Sequence, residues 1–216
     1  FSMSKAAELA ALIANVNKGS SLAAKNFVIN GAMNVAQRGT SSTGLGASSG
    51  YFVCDRWLTN FSTSGRLTMT QDSSGPSGFA NSLKIACTTA DTSIASDEQF
   101  LLSQRIEGQN LQAFAKGTAD AKPFAVSFYV KGNASATYIC ELHDQDNGRQ
   151  ISKTFNVTTA WTRIELTFPA DTTGAFDDDN ARSLNLNIAL HAGSDLTSGT
   201  LSTTWTSTTN ANRYVG

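Results

Sequence analysis

The chain has 216 residues, a formal net charge of −1, 15% charged residues and 40% hydrophobic residues. That length holds one large all-β domain or two small ones. The near-zero charge leaves no basic patch for nucleic acid, and the apolar share argues against wholesale disorder. Charged residues fall well below the roughly 25% of an ordinary soluble domain, and Ser, Thr, Asn and Gly replace them. No apolar run approaches 18 residues, so no membrane-inserting helix is expected, and no signal peptide is visible.

In chain order, the first predicted element is a short helix. Ser4 serves as an N-cap, KAAELAALIANVNKG follows, and Gly19 is a fitting stop. Ala6, Leu9, Ile13 and Val16 are spaced 3, 4, 3, an a/d seam of about two heptads that Leu12 widens. A helix this short is marginal alone in water. It needs its own domain to pack on, or copies of itself in a short coiled coil, with three favoured. These five residues are therefore the candidate oligomerisation or docking set, and residues 1–25 read as a helix plus connector for attachment or oligomerisation.

Residues 26–40, NFVINGAMNVAQRGT, come next, and Asp55-Arg56-Trp57 follows shortly after. Phe27, Val28 and Ile29 run into an Asn30-Gly31 turn, and Met33 and Val35 lead to Gln37-Arg38-Gly39. No nucleophile or metal cluster stands here, so the block reads as the start of a β-domain rather than a catalytic loop. Residues 41–49, SSTGLGASS, read as a flexible low-complexity loop.

From there the hydrophobic period is two. Phe124, Val126, Phe128 and Val130 form one alternating set. Ile164, Leu166 and Phe168 form a second, and Leu184, Leu186, Ile188 and Leu190 a third. Each predicts a strand with one face in a core and the other wet. Further strands are expected near residues 57–62, 66–71, 82–87, 99–106, 137–143 and 150–157. Asp146-Asn147-Gly148 predicts a type I′ hairpin between the last two, and residues 108–117 predict one helical turn. Nine or ten strands with no second long helix, and no internal repeat, predict an all-β fold: a jelly-roll β-sandwich over residues 26–216, preceded by the short helix. No strand is legible after Trp205, so a closing strand is expected to be missing or supplied by a neighbour.

Candidate chemistry is sparse. Glu141, His143, Asp144 and Asp146 could supply the paired carboxylates of a hydrolase, but without a defining spacing the stronger reading is a solvated strand face entering a hairpin. The acidic loop from Asp171 to Asn180 offers oxygen ligands for calcium, but its spacing is not that of an EF-hand, and a polar loop whose Asx side chains cap its own turns is the stronger reading. His191 stands alone and reads as a hydrogen-bonded strand residue. Trp57, Trp161 and Trp205 are candidate ligand-facing aromatics for stacking a sugar, against core packing as the commoner use. Cys54, Cys87 and Cys140 are odd in number and lack CxxC spacing, which predicts buried thiols rather than disulfides or a zinc site. No catalytic, cofactor or metal residue is assigned, and no enzyme activity is expected.

The opening block also carries a family resemblance. N-x-x-I-N-G-x-M-x-V-x-Q-R-G-T followed by D-R-W resembles the start of the β-domain in phage tail-fibre and related virion structural proteins. Lys122-Pro123-Phe124 with residues 127–131, residues 168–180, and His191-Ala192-Gly193-Ser194 through residues 205–207 are similar to segments of the same proteins. The resemblance implies a short attachment or oligomerisation segment and a carbohydrate-binding-module-like jelly-roll, with no catalytic residues. It implies a virion location, a homotrimer, other tail or neck proteins as partners, and host-surface attachment with glycan as a ligand. An isolated carbohydrate-binding module is the alternative.

Overall fold

The computed structural model describes residues 26–216, so the expected helix with Ala6, Leu9, Leu12, Ile13 and Val16 lies outside the described residues. The strands are β1 (Ser41–Leu45), β2 (Leu58–Ser62), β3 (Arg66–Asp72), β4 (Ser82–Thr89), β5 (Gln99–Glu107), β6 (Phe124–Val130), β7 (Ala136–Asp144), β8 (Arg149–Val157), β9 (Thr162–Phe168), β10 (Arg182–Ala192) and β11 (Thr206–Ser207). A single helical turn, α1 (Ser194–Thr197), follows β10. Two 3-10 turns, Gly108–Asn110 and Gln112–Phe114, stand where one helical turn was expected.

The protein is an all-β sandwich of the jelly-roll kind, as the sequence predicts. One layer is a six-stranded antiparallel sheet in the order β11-β8-β7-β10-β5-β2, and the other is split into β1-β3-β4 and β6-β9. The period-two pattern explains the facing. Leu184, Leu186 and Ile188 of β10 meet Phe124, Phe168, Val126 and Leu166 of β6 and β9 in one core. Ile188 and Leu190 meet Leu67, Met69 and Ile85 of β3 and β4 in a second. In β6 and β9 the apolar residues pair across the strands, Phe124 with Phe168 and Phe128 with Ile164. Their outward neighbours Ala125, Ser127, Arg163 and Glu165 are exposed. Cross-strand pairs of this kind stabilise a sheet by a few tenths to 1 kcal/mol each, on the order of magnitude.

Several expectations are corrected. Residues 41–45 form β1, antiparallel to β3, rather than a loop, and Leu45 is buried in the core. A short strand, β11, does follow Trp205 and pairs with β8 through Thr206 and Gln150. The β7–β8 connection is a four-residue loop in which Gly148 alone takes a positive φ, of 57°. A type I′ turn needs two such residues, so that turn is absent, and the Asp144 carboxylate closes the loop by accepting from the Asn147 N–H at 3.0 Å. Cys54 and Cys140 are buried as expected, but Cys87 is exposed on β4. Burial, with Asp55 adding to it, pushes the Cys54 thiol up to about 11.

The opening block becomes a clamp. Asn30 takes a left-handed φ of 55°, a conformation Asn tolerates better than most residues. Its carbonyl accepts from Met33 N–H at 3.1 Å and from the Trp57 indole at 3.1 Å. Its side-chain amide donates to the carbonyls of Val35 and Asp55 and accepts from Val35 N–H. Asp55 in turn receives Gln37 N–H and the Arg38 guanidinium. Buried Gln104 of β5 pairs its amide with both backbone groups of Ile29. Asn30→Ala is expected to cost about 2–4 kcal/mol, from backbone strain plus several lost hydrogen bonds. Urea denaturation measures this, and a loss below about 0.5 kcal/mol would refute the clamp.

Candidate functional site

The Glu141–Asp146 cluster does not assemble. Glu141 and His143 point to one face of the six-stranded sheet, whereas Asp144, between them and the hairpin, points to the other. Alternate strand residues face opposite ways, so the carboxylates cannot converge on one substrate. Neither Glu141 nor His143 is solvated, contrary to the expected wet strand face, because the segment after β10 covers both.

That cover creates a buried polar centre on the outer face of the sheet. Arg213 donates from Nε to Glu141 Oε1 and from Nη2 to Oε2, each at 2.7 Å. The Tyr214 hydroxyl and the Asn187 amide also donate to Oε2, at 2.9 and 2.8 Å. Asn187 Oδ1 accepts from Ser103 at 2.6 Å. Glu141 thus accepts four hydrogen bonds, one at Oε1 and three at Oε2, all from side chains of the fold itself. Burial lowers the Arg213 basicity, but the Glu141 hydrogen bonds and charge outweigh it and raise it overall. Burial, followed by the Glu141 charge, holds the Tyr214 phenol well above its ordinary value. His143 donates to or accepts from Thr208 Oγ1 at 3.1 Å. Desolvation lowers its pKa, offset in part by Glu141.

A second buried centre sits at the other face, beside the acidic loop. Lys116 Nζ lies 2.5 Å from Asp144 Oδ2, 3.1 Å from Asp171 Oδ2, and 2.9 and 2.7 Å from the carbonyls of Thr173 and Gly174. Arg149 forks onto Asp171 at 2.7 and 3.0 Å. Two cations thus balance two anions. Burial pushes the Asp171 carboxyl up, but Arg149 and Lys116 outweigh it and hold it below the usual range. Lys116 also stands over the rings of Phe176 and Trp205 at 5.2 and 5.4 Å, within cation–π reach. Gly174 has a φ of +72°, and a Cβ there would meet the Asn147 side chain at 2.5 Å. The calcium reading fails for Asp171, whose oxygens are filled by Arg149, Lys116 and Thr173 N–H. Asp146 and Asp179 cap backbone N–H groups of the same loop, those of Asp177 and Ala181.

The aromatic candidates also separate. Trp57 is buried and hydrogen-bonded to Asn30, so it faces the core and not a ligand. Trp205 is half-buried, donates to the Pro169 carbonyl at 2.8 Å and packs on Phe124. Trp161 is half-buried just before β9. The exposed ring pair is Phe79 with Tyr129, 42% and 41% accessible with centroids 5.7 Å apart, where the β3–β4 loop meets β6. Sequence reasoning missed it, since Phe79 lies in a turn and Tyr129 occupies the outward phase of a strand. A cleft of about 310 Å³ opens beside Thr137, Ile139, His191 and Tyr214, and among the described residues no acidic or lysine side chain lines it.

No family model matches the chain, and no curated protein matches it. A solved structure described as "CBM4 structure and function" is similar over 87% of this chain and 98% of its own, at 13% identity and a TM-score of 0.34. At that level of likeness nothing about this chain's function follows from it.

Proposed function

We propose that the chain is a non-catalytic structural protein of a phage tail fibre or similar virion appendage, whose sandwich is held outward for attachment to a host surface. The observation that carries this reading is the clamp at residues 26–57. The residues that bear the family resemblance, Asn30, Val35, Gln37, Arg38, Asp55 and Trp57, bond to one another and to the sandwich. They fix how the chain enters the domain, which suits a protein whose task is to position one. The polar clusters that resemble catalytic sites spend their hydrogen bonds on the fold itself.

In this reading Ala6, Leu9, Leu12, Ile13 and Val16 gather three copies, and weak contacts of each copy with host glycan or another tail protein add by multivalency. Light scattering on the full chain is expected to give three times the 22.8 kDa of one chain. Leu9→Asp with Ile13→Asp should return it to a monomer. The second reading, a solitary carbohydrate-binding module, draws on the exposed Phe79–Tyr129 pair, since the apolar face of a sugar packs on such rings. A monomeric full chain that binds glycans, and loses binding in Phe79→Ala and Tyr129→Ala, would replace the fibre reading with that one.

A further inference from the structure

Asp91 in the β4–β5 loop, Glu98 just before β5, and His191 near the end of β10 meet at one corner of the sandwich. One ligand-type atom from each lies within 4.8 Å of the others. We propose that this triad is a binding site for a divalent cation of the zinc class, which staples the β4–β5 loop to the end of β10.

Two observations point to a cation rather than a set of surface charges. The carboxylates of Asp91 and Glu98 share one donor, the Ser64 N–H, at 3.1 Å each, and Glu98 is buried. Yet among the described residues neither pairs with a lysine or arginine. Two adjacent carboxylates repel unless a proton or a cation stands between them. The second observation is His191. Its Nε2 is sealed from solvent and has no hydrogen-bond partner among the described residues, while Glu98 Oε2 lies 4.0 Å away. A buried polar nitrogen without a partner costs free energy, and a metal would use its lone pair.

The surroundings already hold the ligands in place. Asp91 Oδ2 accepts from Thr63 Oγ1 and Ser64 N–H at 3.0 and 3.1 Å, and its Oδ1 from Ser93 N–H at 3.0 Å. Glu98 Oε1 accepts from Ser64 N–H at 3.1 Å, and Oε2 from Ala95 N–H at 2.9 Å. Such outer contacts orient ligating carboxylates. Gly193 lets the corner close, because a Cβ there would meet the carbonyls of Ala95 and Ser96 at 2.2 and 2.5 Å. With zinc–ligand bonds of about 2.0–2.2 Å, tetrahedral neighbours stand roughly 3.4 Å apart, so separations of up to 4.8 Å must close by up to about 1.4 Å to seat the ion. An imidazole with two carboxylates suits zinc better than calcium, which prefers all-oxygen shells. Water would complete the shell.

The test uses the full chain in a Cys87→Ser background, which removes the exposed thiol. The chain has two histidines, so His143→Gln is the control. After incubation with zinc chloride and gel filtration, one zinc per chain is expected, with a rise in Tm on the order of 5 °C. His191→Gln and Asp91→Asn should each weaken zinc binding at least tenfold, while His143→Gln keeps it. Should His191→Gln fold poorly, the Asp91→Asn result decides. No retained zinc, zinc kept equally by both variants, or calcium bound as tightly as zinc would each overturn the proposal.

Discussion

Glu141→Ala is expected to cost about 3–5 kcal/mol of folding stability, the range for removing one partner of a buried ion pair. The loss exceeds that of one contact because three donors depend on this carboxylate. Arg213, Tyr214 and Asn187 all point at it, and the last two are almost fully buried. Without Glu141 a largely buried guanidinium keeps its charge and loses its acceptor. Arg213→Met added to Glu141→Ala should recover 1 kcal/mol or more, since an apolar pair removes the uncompensated charge. The damage should begin in the segment after β10, which Arg213 and Tyr214 hold against the sheet. Limited proteolysis of the variant should therefore cut between residues 198 and 213 before it cuts the strands. A stability loss under 1 kcal/mol in urea denaturation would show that the segment is held by its backbone bonds alone.

The strands and the sandwich were legible because their signal is local. Nine expected strands coincide with β2 to β10, since an alternating pattern is written within one stretch of residues. β1 was not legible: Ser41-Ser42-Thr43-Gly44 lacks an apolar period, and its strand form comes from backbone pairing with β3. The polar phase of β7, β8 and β10 was legible as polar but not as buried. Whether Glu141, Ser152 and Asn187 meet water depends on a segment some 20 to 70 residues downstream that folds back over them. Trp57 could not be told from a ligand-facing ring, because its core placement follows from Asn30 across 27 positions. The Asp91–Glu98–His191 corner was hidden for the same reason. Its histidine comes from a different strand about a hundred residues away, so no motif spacing announces it.

Lys116→Met is the second large effect, again about 3–5 kcal/mol. Lys116 and Asp144 are essentially sealed, with side-chain exposures of 1% and 0%. Among the described residues Lys116 is the sole cation on Asp144, whereas Asp171 keeps Arg149. The cost should therefore come mainly from Asp144, and adding Asp144→Asn should recover a large part of it. Adding Asp171→Asn instead should make matters worse by leaving Arg149 without its partner. The acid limb provides an independent check. Asp171 has a folded-state pKa held below its ordinary value. The unfolded chain therefore takes up the proton first, and stability from this group is full above about pH 4 and is lost as pH falls below it. Removing Lys116 removes one cause of that depression, so stability should fall less steeply with acid in Lys116→Met than in the parent. A variant within 1 kcal/mol of the parent at neutral pH, with an unchanged acid slope, would mean that Arg149 and the Asn147 cap suffice to hold both carboxylates.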